Sequence, residues 1–261
     1  DTISPSITAP SAVTLSLGAG GSVTLPGNTA SASDNCGATT LTYSETSFNC
    51  SDIGTTNVVV TATDANGNDS EATIAVTVQD VTNPTLALVS SGITLALDAN
   101  GSTSLTTSQI VSSVSDNCSG VTVSVSPSSF GCSDLGSNTV TVTATDASGN
   151  TTVETGTVTV VDLIAPAITT VSSAVTTYLN GSGVATISQS DVVATTTDNC
   201  TVAPTVSLSA TSFSCSEVGS NTITITATDG SGNSSTATKN VVVVDTISPS
   251  ITAPSAVTLS L

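Results

Sequence analysis

The sequence predicts an all-β protein: tandem immunoglobulin-like β-sandwich repeats arranged end to end as an extended rod. Three observations carry that reading. Thr, Val and Ile alternate over six to ten residues in runs such as "NTVTVTATD", the pattern of half-buried strands. Clusters of Gly, Asn and Asp such as "GAGG" and "DASGN" punctuate those runs as turns. The same landmarks return about every eighty residues, and about seven short strands per repeat suit a sandwich of this kind.

The repeats can be taken in order. The pattern Asp-x-x-x-Pro begins at Asp1, Asp80, Asp162 and Asp245, which stand 79, 82 and 83 residues apart. It defines repeats at residues 1–79, 80–161 and 162–244. Residues 245–261 start a fourth and are identical to residues 1–17. The expectation is a window on a longer array in which a 244-residue block recurs. No signal peptide is visible at its start, which for an internal window says nothing about export. Each repeat then carries "DNC", a Phe two residues before a second Cys ("SFNCSDIG", "SFGCSDLG", "SFSCSEVG"), and a strand ending in "TATD". No segment shows a helical period. The expected core is β-branched residues plus Phe48, Phe130 and Phe213, with Tyr43 and Tyr178 in addition.

Composition narrows the function. There are 19 acids, one base (Lys239) and no His, for a net charge of -18. Nothing offsets phosphate repulsion, so nucleic acid and anionic membrane surfaces are poor partners, and no nucleic-acid partner is expected. The longest apolar stretch, around Val241 to Val244, is too short to insert in a bilayer. A Ser–His–Asp or Cys–His nucleophile is impossible without His. Paired carboxylates that cut glycosides sit with aromatic sugar platforms, and only 2% of residues are aromatic. No Gly-rich phosphate loop followed by Lys is present. The chain is not expected to be an enzyme.

The six cysteines fall two per repeat: Cys36 and Cys50, Cys118 and Cys132, Cys200 and Cys215. If each repeat is self-sufficient, three disulfides close within repeats. Each would be worth about 3 kcal/mol for a loop of about 15 residues. Disulfides place the chain outside the cytoplasm. Thiolate metal binding has no support, because Cys-x-x-Cys pairs and His are lacking.

Topology brings acids together. In an immunoglobulin-like sandwich the entry linker, the B–C loop and the F–G turn share one end. "DNC" occupies the B–C position, the "TATD" Asp opens the F–G turn, and Asp-x-x-x-Pro is the linker. The expected trios are Asp1, Asp34 and Asp64; Asp80, Asp116 and Asp146; and Asp162, Asp198 and Asp229. Three carboxylates without a counter-charge repel one another. A Ca²⁺ ion, which takes six to eight oxygens, would relieve this and lock neighbouring repeats, with Asn66, Asn68, Asn150 and Asn233 adding oxygens. The alternative is that these acids only cap turns. Asp52, Asp134 and Glu217, in "CS[DE]xG", are expected as turn acids at the opposite end.

"DNC", the second Cys and "VTVTATDASGN" followed by a Val-rich strand resemble the hyalin repeat (HYR) family, an immunoglobulin-like module of extracellular proteins. The Thr/Ser/Val-rich, Lys-poor array is similar to the giant cell-surface gliding adhesins of Bacteroidetes, the SprB type. The resemblance implies type IX secretion, display on the outer membrane, gliding, and contact with surfaces or polysaccharide. The extra Cys that often follows the linker Pro in hyalin repeats is absent from "PSITAPSA", "PTLALVSS" and "PAITTVSS". "DTI" at Thr2 and Thr246 resembles a Bacteroidetes O-glycosylation signal.

Three function classes follow: a structural stalk whose partners are neighbouring repeats, an array whose repeats bind external surfaces or polysaccharide, and an ice-binding face built on Thr-x-Thr runs. Ice binding needs such runs stacked at short intervals, whereas these are the wet side of alternating strands. Sparse aromatics and cations favour the stalk over the binder. Strands of eight to ten residues give about 35 to 40 Å per repeat with its linker, or on the order of 110 Å for three.

Overall fold

The computed structural model describes residues 1–253. The last part of the expected fourth repeat start, residues 254–261, lies outside the described residues. The fold is all-β and immunoglobulin-like. The described residues form two compact units. The first comprises Asp1–Ile93, Leu105–Ser128 and Asn138–Val158; the second comprises Thr94–Ser104, Ser129–Ser137 and the chain from Thr159 onward. The middle eighty residues are thus divided between them.

In the first unit, residues 1–79 form eight strands: β1 (Ser6–Thr8), β2 (Ala12–Ser16), β3 (Ser22–Thr24), β4 (Ser31–Ser33), β5 (Thr40–Tyr43), β6 (Ser47–Asn49), β7 (Gly54–Thr63) and β8 (Asp69–Gln79). One sheet runs β2-β8-β7-β5, with β2 parallel to β8. Facing it, β1 pairs with β4 and β3 with β6, both antiparallel. In immunoglobulin terms, β3 and β4 are one interrupted B strand between A and E, opposite an A′-G-F-C sheet. The β7–β8 hairpin keeps register from Gly54↔Val78 to Thr63↔Asp69. Alternation in these strands does what the sequence implies: Val58, Val60 and Ala62, and Ile74, Val76 and Val78, turn inward and are buried. They close on Leu15, Leu17, Leu25 and Phe48. Burying such a side chain contributes roughly 1.5–3 kcal/mol.

The second unit repeats this plan with its own residues. Val175–Tyr178, Ser234–Val244, Gly219–Thr228 and Thr205–Leu208 form the four-stranded sheet in that order. Ala167–Thr170 pairs with Val193–Thr197, and Val184–Thr186 with Ser212–Ser214. Leu179, Ile187, Phe213, Ile223, Ile225, Val241 and Val243 fill its core. Of the middle repeat, Thr85–Leu88 with Val111–Ser115 belongs to the first unit, and Ser102–Ser104 with Ser129–Gly131 to the second.

Two short helices depart from the all-strand expectation: Thr107–Ile110 and Gln189–Val192. Each begins in a capping box. The Thr106 N–H donates to Gln109 Oε1 at 2.8 Å, and the Ser188 N–H to Asp191 Oδ2 at 2.6 Å. Each buries one side chain, Ile110 or Val192. The first repeat has "PGNT" at this point and makes a turn, with the Thr29 N–H donating to the Pro26 carbonyl at 3.0 Å.

The cystines overturn the within-repeat pairing. Cys50 bonds Cys118, and Cys132 bonds Cys200, each across 68 residues of sequence. Cys36 and Cys215 are free and exposed. The reason is distance. Cys36 lies in the loop after β4, at the entry end of its sandwich, whereas Cys50 starts the turn before β7, at the exit end. A ten-residue strand such as β7 spans about 33 Å, and a disulfide needs Cα atoms within about 7 Å. Each bridge therefore joins the exit of one repeat to the B–C loop of the next, 5.6 Å and 5.3 Å between Cα atoms.

Candidate metal centres

The three expected acidic trios form. One carboxylate oxygen from each of Asp1, Asp34 and Asp64 lies within 4.8 Å of the others, and the same holds for Asp80, Asp116 and Asp146, and for Asp162, Asp198 and Asp229. Each trio is built the same way. The linker supplies the first acid, which in the second and third trios directly follows the last strand of the repeat before, as Asp80 follows β8. The B–C loop supplies the second and the F–G turn the third.

The F–G acids are held by their own turn. Asp64 Oδ1 accepts from the Asn66 and Asn68 N–H groups at 2.8 and 2.9 Å, and Oδ2 from Asn68 Nδ2 at 2.8 Å. Asp146 and Asp229 repeat this with Asn150 and Asn233. The Asn68 amide, then its backbone N–H, holds the Asp64 carboxyl below its ordinary 3.8. For Asp146 and Asp229 burial pulls upward, and the hydrogen bonds led by the Asn150 and Asn233 side chains outweigh it, so both are lowered. Asn68, Asn150 and Asn233 also donate to the carbonyls of Asp1, Asp80 and Asp162. These three asparagines, expected to offer oxygens, work as donors that clamp linker to turn.

The other acids are half-tethered. Asp116 Oδ2 accepts from the Cys118 N–H at 2.9 Å, and Asp198 Oδ2 from the Cys200 and Thr201 N–H groups at 3.0 and 2.7 Å. Asp80 Oδ1 accepts from the Thr82 N–H at 3.0 Å and Asn117 Nδ2 at 3.2 Å. Asp162 Oδ1 accepts from the Ile164 N–H and Asn199 Nδ2, both at 3.1 Å. The second oxygen of each is buried and has no partner: Asp80 Oδ2, Asp116 Oδ1, Asp162 Oδ2 and Asp198 Oδ1, joined by Asn117 Oδ1 and Asn199 Oδ1. Asp80 and Asp162 are only 6% and 4% exposed. Buried carboxylate oxygens without donors are costly. Like charges about 4 Å apart near a protein surface repel by roughly 4 kcal/mol. No basic side chain answers them, since Lys239, the single base, donates to the Val171 carbonyl.

The central Asn of "DNC" went unassigned at the level of sequence. Asn117 Nδ2 donates to the Gly18 carbonyl of the preceding repeat at 3.2 Å, and Asn199 Nδ2 to the Asp98 carbonyl at 3.2 Å. Its presence in all three copies of the triplet was the signal. Room for this loop depends on Gly21, at φ +69°, where a Cβ would stand 2.6 Å from the Asn117 carbonyl oxygen and 2.9 Å from Cys50 Sγ. At the first trio the Asn35 side-chain oxygen faces only acceptors, with Asp34 and Asp1 carboxylate oxygens at 3.1 and 3.2 Å. A half-turn of the amide converts these to hydrogen bonds, the orientation Asn117 and Asn199 adopt toward Asp80 and Asp162.

The opposite-end acids are turn acids, as expected. Asp52 Oδ2 accepts from the Asn49 N–H at 2.8 Å, Asp134 Oδ2 from the Gly131 N–H at 2.8 Å, and Glu217 Oε2 from the Ser214 N–H at 2.7 Å. Thr2 and Thr246 lie in exposed linker.

No family model and no curated protein matches the chain, so the hyalin-type resemblance rests on the motifs alone. Among solved structures it is similar to the protocadherin GammaB4 extracellular domain, at 17% identity and TM-score 0.33 over 92% of this chain. It spans about half (49%) of that structure. Mouse cadherin-23 EC22-24 matches at 14% identity and TM-score 0.34, over 93% of this chain and 99% of that one. Sidekick-1 immunoglobulin domains 1–5 match at 12% and 0.40, over 94% and 60%.

Proposed function

We propose that the chain is a non-catalytic stalk segment of an extracellular, repetitive adhesin, in which Ca²⁺ at each acidic trio and a cystine at each repeat boundary stiffen the array. The observation that carries this reading is the set of buried, partnerless oxygens, Asp80 Oδ2, Asp116 Oδ1 and Asn117 Oδ1, with their counterparts in the third repeat. They are hard ligands with no proton donor, grouped with Asp146 or Asp229, and a hard divalent cation is the partner such oxygens select. Magnesium, smaller and reluctant to dehydrate, suits a crowded multi-carboxylate site less well. The ion would draw linker, B–C loop and F–G turn together where one repeat enters the next, so its binding energy would resist bending there.

The extracellular setting fits the cystines. On this reading the filament is displayed on the outer membrane after type IX secretion and supports attachment to surfaces or polysaccharide, and gliding. Calcium titrated into chelator-treated protein is expected to raise the melting temperature and lengthen the particle in small-angle scattering. At one hundred times its Kd the ion adds about 2.7 kcal/mol per site. If chelation shifts neither quantity, the calcium stalk is refuted.

A further inference from the structure

Of the two free cysteines, Cys215 stands where Cys50 and Cys132 stand in their repeats, and Cys36 where Cys118 and Cys200 stand. At each internal boundary the exit half consists of a tight turn, a cysteine and a linker Asp. The Gly18 N–H bonds the Ser22 carbonyl and the Gly21 N–H bonds the Gly18 carbonyl; Asp98 to Ser102 and Asn180 to Val184 do the same. Cys50, Cys132 and Cys215 place Sγ 3.6, 3.6 and 3.7 Å from the carbonyls of Gly21, Gly101 and Gly183. Asp80 and Asp245 each accept the N–H two residues on, from Thr82 and Ile247. The third repeat thus presents the complete exit half. Beside it is a concavity of about 390 Å³, lined by Asn180, Gly183, Cys215, Asp245 and Ile247 among others. The entry half is the "DNC" loop. Asn117 and Cys118 are covered in their joint, whereas Asn35 and Cys36, the same letters, are exposed.

We propose that the concavity at Cys215 receives the Asp34-Asn35-Cys36 loop of a second copy of this chain, joined through Asp245 to Pro249, whose letters repeat Asp1 to Pro5. Cys36 of that copy forms a disulfide with Cys215. Its Asn35 Nδ2 donates to the Asn180 carbonyl and to Asp245, as Asn117 does to Gly18 and Asp80. The contact is heterologous and head-to-tail, so each copy offers one half of the joint at either end. In the covalent step a small-molecule disulfide is the oxidant: one thiolate displaces a thiol from it, and the other thiolate displaces a second. Two protein thiols become one S–S bond, and the oxidant leaves as two thiols. None of this depends on an ion in the acidic trios.

The test is a duplicated chain, residues 1–244 followed by a complete second copy, refolded in a glutathione redox buffer and mapped without reduction. The expected result is a peptide joining Cys215 of the first copy to Cys36 of the second, with two alkylated thiols per molecule instead of four. Cys36→Ser in the second copy should return Cys215 to the alkylated pool and leave Cys50–Cys118 intact. Four alkylated thiols in the unmutated duplicate, or Cys215 bridged to a different cysteine, would overturn the proposal. Calcium titration of the single chain reads the trios separately, so failure of either reading is distinguishable from failure of the other.

Discussion

The first and second acidic trios are made of the same residues in the same places, and the second has the exit end of a preceding repeat packed against it. Around Asp1, Asp34 and Asp64 the linker acid, Asn35 and Cys36 are exposed. Around Asp80, Asp116 and Asp146 the linker acid and Cys118 are buried, Cys118 is bonded to Cys50, and Asn117 reaches the Gly18 carbonyl. The partnerless buried oxygens occur at the second trio and the third, and none is found at the first. The difference teaches that loop sequence assembles the acids, while a preceding repeat's exit surface desolvates them. On the proposed reading, an ion would contribute most where water has been excluded.

That comparison can be broken at its strongest point first. Cys118→Ser removes a bridge closing 68 residues, a constraint worth about 4 kcal/mol in the chain-entropy model. Cys36→Ser, at an exposed free thiol, should leave the urea midpoint unchanged. Equal losses from the two substitutions would mean that the bridge does not separate the sites. Asn117→Ala is the next largest. It deletes donors to Gly18 and Asp80 and should cost about 1–3 kcal/mol, because partly buried acceptors are left without partners. Asn35→Ala should cost little, and thermal melts of both variants measure the gap.

The smallest effect is acidic. Asp64, Asp146 and Asp229 have carboxyls lowered from 3.8 in the folded chain. A depressed folded value means that the unfolded chain binds protons first as pH falls. Stability is therefore fully present above the unfolded value near 4 and drains away as pH drops through the folded values. Melting temperature should hold between pH 7 and 5 and fall below pH 4. A chain equally stable at pH 3 would deny these hydrogen bonds their weight.

Much of the trios was legible beforehand because it follows from topology. Once "DNC" is placed in the B–C loop and "TATD" before the F–G turn, the two must share an end with the linker. The same placement already forbade a Cys36–Cys50 bridge, since it set those cysteines at opposite ends of one sandwich. The error came from treating each repeat as self-sufficient. The short helices at Thr107–Ile110 and Gln189–Val192 were missed for another reason. Four residues carry no period, and their capping boxes were the one available sign.

Alternation of Thr and Val, turn residues at fixed intervals and recurring landmarks determined by themselves the strands, the sandwich and the grouping of acids, because those depend on local periodicity and chain direction. Which cysteine meets which, what the Asn of "DNC" grips and which carboxylate oxygens lose their water were decided only by tertiary structure. Those outcomes depend on surfaces far apart in sequence coming within a few ångströms, and neither spacing nor composition carries that distance.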